Sequence, residues 1–255
     1  MASRPSSRRR GRRFPGRELE QLLGPVVPSD HARQTLAGYY IDREVGRQDG
    51  RPWRVLDLGC GPGNSIDHFR ARDPQVEWVG LDLPEPYEGP TRTDAHFETF
   101  DGRSIPFEPE RFDLVFCQQV LEHVRWPTPL LADVRRVLAP GGYFAGSTSQ
   151  LEPYHGWSLW NYTPFGLKEL LDEVGLDLLE VRPGIDGITL VARRLFPRRE
   201  PFDSWWERWW GGQSPLNRLT DAYGRLLGYD PKAVNATKLI VCGQFTFLAQ
   251  RRDSG

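Results

Sequence analysis

The stretch VLDLGCGPGNS, Val55 to Ser65, constrains the fold of this chain more than any other. An apolar run that ends on glycines at positions 59, 61 and 63 reads as a buried strand breaking into a tight turn, with a helix to follow. A strand and helix joined in this way call for a second, parallel strand reached by a right-handed crossover. The sequence supplies one in VEWVGLDL, with NSIDHFRARD as the intervening helix. The loop between them must hold something, and glycine spacing is the first clue to what.

The same alternation continues. RFDLVFCQQV reads as a buried strand, PTPLLADVRRVLAPGG as a helix closed by its glycines, and GYFAGSTS as another strand. TPFGLKELLDEVG is a helix capped by Thr163, with Pro164 at its first position and Gly175 at its end. DLLEVRPGI and TKLIVCGQFTFLAQR read as two last strands. Between them, at about 190–235, lies a helical insertion containing DGITLVARRLF, DSWWERWW and SPLNRLTDAYGRLLGYD. Strands alternating with helices of this length predict an α/β fold, a doubly wound and mostly parallel seven-stranded sheet with helices on both faces. Residues 1–17 read as a basic tail without fixed structure. Residues 18–50 read as an N-terminal helical lid, two helices broken at Gly24 to Pro28 with Ser29 or Asp30 capping the second. Residues 51–255 form the main domain.

Charge narrows the partners. Seven of the 33 basic residues fall among the first 17 positions, so the remaining 26 face 34 acids, a balance of −8. A body that acidic is a poor footprint for nucleic acid, whose affinity comes mainly from neutralised phosphates. The three cysteines, Cys60, Cys117 and Cys242, are far apart and suggest neither zinc nor a disulfide framework, and no metal is expected. No apolar run approaches the ~20 residues that span a bilayer. A cytoplasmic protein is expected, a monomer or homodimer, with peripheral membrane contact left open by the arginines near the tryptophans of the insertion.

The glycines do not fit a phosphate. A dinucleotide loop runs G-x-G-x-x-G, and here Asn64 stands where its last glycine belongs; no Gly-Lys-Ser/Thr follows either. Asp57, two residues before the first glycine, would repel a pyrophosphate but suit a ligand that carries an ammonium group. VLDLGCGPG resembles the glycine-rich first motif of class I S-adenosylmethionine-dependent methyltransferases. The order of later features agrees over Arg54 to Gly175, including VGLDL, FDGRSIPFEPERFDLVFC, CQQVLEHV and LAPGGYF. The resemblance implies a Rossmann-like methyltransferase fold, S-adenosyl-L-methionine as cofactor, and a small-molecule acceptor methylated at oxygen or nitrogen. It implies cofactor contacts at Asp57, Gly59, Cys60, Gly61, Gly63, Asp82, Leu83, Asp101, Gly102 and Gln118. Asp82 would accept the ribose hydroxyls, Asp101 the adenine amino group, and Gly102 would offer backbone to the ring edge. Asp94 and Glu98 lie close enough to Asp101 to take its role.

Methyl transfer from a sulfonium needs the nucleophile placed and dried more than it needs chemistry, but an O–H or N–H nucleophile must lose a proton. Two histidines are candidates for that base. His155 lies in LEPYHGWSLWNYTP after the fifth strand, on the edge where strand carboxyl ends gather, and His123 lies in VLEHV. Packing is the competing reading for both. His31, His68 and His96 have no comparable context in the sequence. Tyr39 and Tyr40 could cover the sulfonium through cation-π contact. Trp205, Trp206, Trp209 and Trp210 share one helical face, open to core packing, a cleft wall, a dimer contact or a membrane anchor. A nucleic-acid methyltransferase, a nicotinamide oxidoreductase and a catalytically silent cofactor-binding or scaffold protein are the competing functions. The oxidoreductase fails on glycine spacing and lacks a Tyr-x-x-x-Lys pair.

Overall fold

The computed structural model describes residues 14–43, 51–84, 93–195 and 212–253. Residues 1–13 of the basic tail and the tryptophans of DSWWERWW lie outside the described residues; the rest of that tail is structured, contrary to expectation, since Phe14 packs against the core and Arg17 opens a helix. Seven strands form one sheet: β1 (Arg54–Leu58), β2 (Glu77–Asp82), β3 (His96–Thr99), β4 (Phe112–Gln118), β5 (Leu138–Ser149), β6 (Leu176–Pro183) and β7 (Gln244–Arg251). Their order across the sheet is β3-β2-β1-β4-β5-β7-β6, parallel except for β7, which runs antiparallel to both of its neighbours. The predicted doubly wound sheet is the observed one.

The helices are α1 (Arg17–Leu23), α2 (Tyr39–Asp42), α3 (Ser65–Arg72), α4 (Pro127–Val137), α5 (Pro164–Val174), α6 (Gly187–Leu195), α7 (Pro215–Leu227) and α8 (Pro231–Leu239). The central strands are apolar because both of their faces are covered. Val55, Leu56 and Leu58 on β1 and Val115 and Cys117 on β4 are fully buried. Each large aliphatic or aromatic side chain so removed from water contributes about 1.5–3 kcal/mol. Helix α5 begins and ends as its sequence demands: the Thr163 hydroxyl accepts from the Gly166 N–H at 2.9 Å, and Gly175 closes it in the left-handed conformation, φ 79°.

Three expectations need correction. Helix α4 runs directly into β5 at Leu138, so the glycines of LAPGG lie inside the strand and do not close the helix. TKL belongs to the end of α8, and the last strand starts only at Gln244. The second N-terminal helix is a single turn, α2, preceded by an irregular run from Val27 to Gly38. The backbone of that run bonds outward instead of to itself. The Asn235 amide donates to the carbonyls of Pro28 and His31, the Lys238 ammonium to that of Ala32 (2.5 Å), and the Thr35 N–H to the Pro183 carbonyl (3.0 Å). Asp30 caps no helix, because its carboxylate takes the His31 N–H and the Arg182 guanidinium. Among the described residues no helix is long and apolar enough to cross a membrane.

Candidate functional site

β1 pairs with β2 on one side and β4 on the other, so the chain reverses direction of winding there and opens a crevice at the strands' carboxyl ends. The glycine loop fills the floor of that crevice. Gly59 has φ 73°, and a Cβ built on it would lie 2.2 Å from a Val120 methyl, so no other residue fits. Gly61 has φ 49° but faces open space, with no heavy atom within 4 Å of where a Cβ would stand; the loop thus leaves a hollow at its crest.

Two acids hold this loop. Asp82, at the end of β2, accepts from the Gly61 N–H (2.7 Å) through one oxygen and from the Leu83 N–H (2.8 Å) through the other. Asp57, at the end of β1, is only 4% exposed and receives a hydrogen bond from the Ser65 hydroxyl, which in turn accepts from the Trp78 indole N–H. Burial raises the Asp57 pKa to about 7; the Ser65 bond opposes the rise and the nearby Asp82 charge adds to it. Among the described residues neither acid has a cationic partner. Cys60, between the glycines, is buried, and its thiol is pushed up to about 12 by burial and by both carboxylates, so it stays protonated. Gly63 donates its N–H to the Cys60 carbonyl at 2.9 Å, closing the turn.

The remaining cofactor candidates sit around this floor. Leu83 is half exposed, and a Cβ on Gly102 would come within 3.3 Å of its side chain, so the two form one apolar shelf beyond Asp82. Asp101 turns one oxygen to the N–H groups of Arg103 and Ser104, both at 2.8 Å, which lowers its pKa and fixes the loop. Gln118 ends β4 exposed. Its successor Gln119 takes φ 56°, an uncommon conformation for a residue with a side chain, held by an N–H bond to the Ser147 carbonyl.

A cleft of about 620 Å³ rises above the floor. Its lining includes Asn64 and Ser65 from the start of α3, Gln118 from β4, and His31, Arg33, Tyr39 and Asp42 from the N-terminal segment. His31 and His68, which carry no signal in the sequence, both line it. Local context could not have found them, because distant partners place them: Arg182 and Asn235 beside His31, and Asp42 beside His68. The Tyr40 expectation fails, since that ring is fully buried with its hydroxyl unpaired. The Tyr39 ring is flanked by Arg182, 4.8 Å from its centroid, and Arg43, at 5.5 Å.

The candidate bases lie on the other flank of β4. His123 is in a single 3-10 turn, Leu121–His123, and its ring packs edge-on against His155, with centroids 5.3 Å apart. His155 Nδ1 lies 3.2 Å from the Pro153 carbonyl and 3.6 Å from a Glu152 oxygen, so the ring proton sits on Nδ1 and Nε2 carries the lone pair. Beneath them is a nest of buried polar groups that sequence reading overlooked. Glu122 accepts from the Thr148 hydroxyl (3.0 Å); the Ser149 hydroxyl lies between the two acids, 2.5 Å from Glu152 and 3.0 Å from Glu122; and Glu152 also accepts from the Gln244 amide (2.8 Å) and the Arg194 guanidinium (2.5 Å). The aromatic loop divides: Tyr162 is buried and donates to the Leu121 carbonyl, whereas Tyr154 and Trp157 point into solvent.

Comparison with known proteins identifies the family and the fold. A family model described as a methyltransferase domain matches residues 29–181. Trans-aconitate 2-methyltransferase of Methylobacterium nodulans is 40% identical over 97 residues, 37% of this chain and 37% of that protein. Demethylmenaquinone methyltransferase of Deinococcus radiodurans is 36% identical over 140 residues, 50% of this chain and 58% of that protein. The matches thus span less than two thirds of the length of these curated relatives. Phosphoethanolamine N-methyltransferase 2 of Haemonchus contortus, solved with S-adenosyl-L-methionine, shares the fold: its TM-score is 0.55 at 18% identity, covering 92% of this chain and 56% of that one.

Proposed function

This chain belongs to the methyltransferase-domain family, and on that premise we propose that it transfers the methyl group of S-adenosylmethionine to an oxygen or nitrogen of a small-molecule acceptor. The observation that carries the reading is the pair Asp57 and Asp82, two acids without a cation among the described residues, around a glycine loop with a hollow crest. Asp57 would meet the cofactor's ammonium and Asp82 its ribose, while the shelf of Leu83 and Gly102 would receive the adenine. Gln118 and Cys60 would border the amino-acid tail. Asp101 keeps one oxygen for the adenine amino group after serving its own loop. Bound there, the cofactor supplies an activated methyl group on a sulfonium. The two relatives are named for trans-aconitate and demethylmenaquinone, which supports a small-molecule acceptor; the fold alone would not.

The protein's own part is to place the acceptor, exclude water and take its proton. His155 is suited to the last task, because the Pro153 carbonyl and Glu152 hold its Nδ1–H and leave Nε2 to accept. His123 would keep the ring in place by packing against it.

Calorimetric titration of the protein with S-adenosylhomocysteine tests the cofactor assignment, and no measurable binding would sink it. For the base, His155→Ala should lower turnover by about 10²-fold at unchanged cofactor affinity, measured with an acid, phenol or amine that the wild type methylates. Normal turnover in that variant would return His155 to a packing role.

A further inference from the structure

The N-terminal wall of the cleft presents donors. His31 Nδ1 accepts the backbone N–H of Arg33 at 3.2 Å, and Nε2 lies 3.3 Å from both the Tyr39 hydroxyl and the Arg182 guanidinium. Burial and the Arg182 guanidinium, 3.3 Å from Nε2, disfavour a second proton on the ring and hold its pKa below the ordinary value. The Tyr39 hydroxyl can turn its O–H to the His31 ring or to a ligand, and Tyr39 lines the cleft.

Charge points the same way. Arg182 and Arg43 are balanced by Asp30 and Glu180, at 2.5 to 2.8 Å. Arg33, exposed at the mouth, makes no side-chain hydrogen bond or ion pair among the described residues. Asp42, the one acid among the described residues of the lining, is already held by His68 (2.9 Å) and Arg72 (2.7 Å). Of the residues proposed for the cofactor only Gln118 lines this cleft, so a cofactor on the glycine loop would leave its volume to a second molecule.

We propose that this wall is a carboxylate-binding subsite for the acceptor, with the Tyr39 hydroxyl and the Arg33 guanidinium as donors and His31 as the residue that directs them. The acceptor is then a carboxylic acid. This inference rests on the methyl-transfer reading for the role of its ligand, although binding can be measured without it.

Citrate and 4-hydroxybenzoate serve as probes, titrated calorimetrically into wild type, Arg33→Ala and Tyr39→Phe, each saturated with S-adenosylhomocysteine. At least one acid should bind the wild type, and each variant should weaken it by about tenfold while keeping both its affinity for S-adenosylhomocysteine and its melting temperature. Three results overturn the proposal: neither acid binds; an acid binds the variants as well as the wild type; or the variants lose S-adenosylhomocysteine affinity instead, which would assign the wall to the cofactor's carboxylate. A failure of the methyl-transfer reading looks different. S-adenosylhomocysteine would not bind the wild type, whereas the acids, titrated into ligand-free protein, would still distinguish wild type from variants.

Discussion

Two pairs of acids lie at the carboxyl edge of the same sheet, Asp57 with Asp82 and Glu122 with Glu152, and their surroundings treat charge in opposite ways. Glu152 has the Arg194 guanidinium and the Gln244 amide, Glu122 has the Thr148 hydroxyl, and the Ser149 hydroxyl lies within reach of both; both side chains are enclosed. Asp57 has one serine hydroxyl, and burial has driven its pKa to about 7. A buried acid whose partners are already present is architecture, because removing it would strand those partners. A buried acid short of positive charge is kept at a cost in stability, which a cationic ligand can offset. By that criterion Asp57 is the acid with unmet charge, which on the proposed function a cofactor's ammonium would meet, whereas Glu152, ion-paired with Arg194, would belong to the frame beside His155.

Three measurements would break or sharpen this contrast. The largest effect is expected at Glu122→Ala, which leaves the buried Thr148 hydroxyl without its acceptor and a cavity where a fully buried side chain stood, and should cost about 3 kcal/mol of stability with no loss of cofactor affinity; denaturant unfolding and calorimetry report the two separately. If affinity falls and stability does not, the nest is part of the binding site. Next is Asp57. Its folded pKa lies above the unfolded 3.8, so between pH 4 and 7 the native state holds a proton the unfolded chain has released, and this group's contribution to stability declines as pH rises through that window. Asp57→Asn should therefore flatten the decline and stabilise the ligand-free protein at pH 8 by about 2 kcal/mol, while weakening S-adenosylhomocysteine. A variant no more stable than wild type at pH 8 would remove the premise that Asp57 stores unmet charge. The smallest effect is at Asp82→Ala, which should weaken S-adenosylhomocysteine about tenfold, some 1.4 kcal/mol. Unchanged affinity would leave Asp82 as a brace for Gly61 and Leu83 only.

The two halves of the site were not equally legible. Asp57, the three glycines and Asp82 lie within 26 positions on consecutive strands, and strand ends adjacent in a parallel sheet must meet at one edge. The spacing therefore carried the geometry with it. The cleft wall is different, since His31, His68 and Gln118 come from an irregular segment, a helix and a strand. The segment after Pro28, up to Gly38, reads as helix on local signals, yet side chains of α8 and the Pro183 carbonyl at the end of β6, about 150 to 200 positions away, take up its backbone groups. No local pattern encodes such long-range partners. Trp157, with φ 65° and 85% exposure, is another case, because neither its conformation nor its exposure follows from an aromatic-rich loop.

The sequence by itself determined the parallel pairing of the strands beside the loop, the turn at the glycines and the acids that flank it, since these follow from local backbone sterics and from the alternation of strand and helix. Only the tertiary structure decided which acids are left without a counter-charge and which histidines face the cleft. Charge compensation and access depend on neighbours that the fold brings together from distant parts of the chain, and a linear pattern carries no record of those distances.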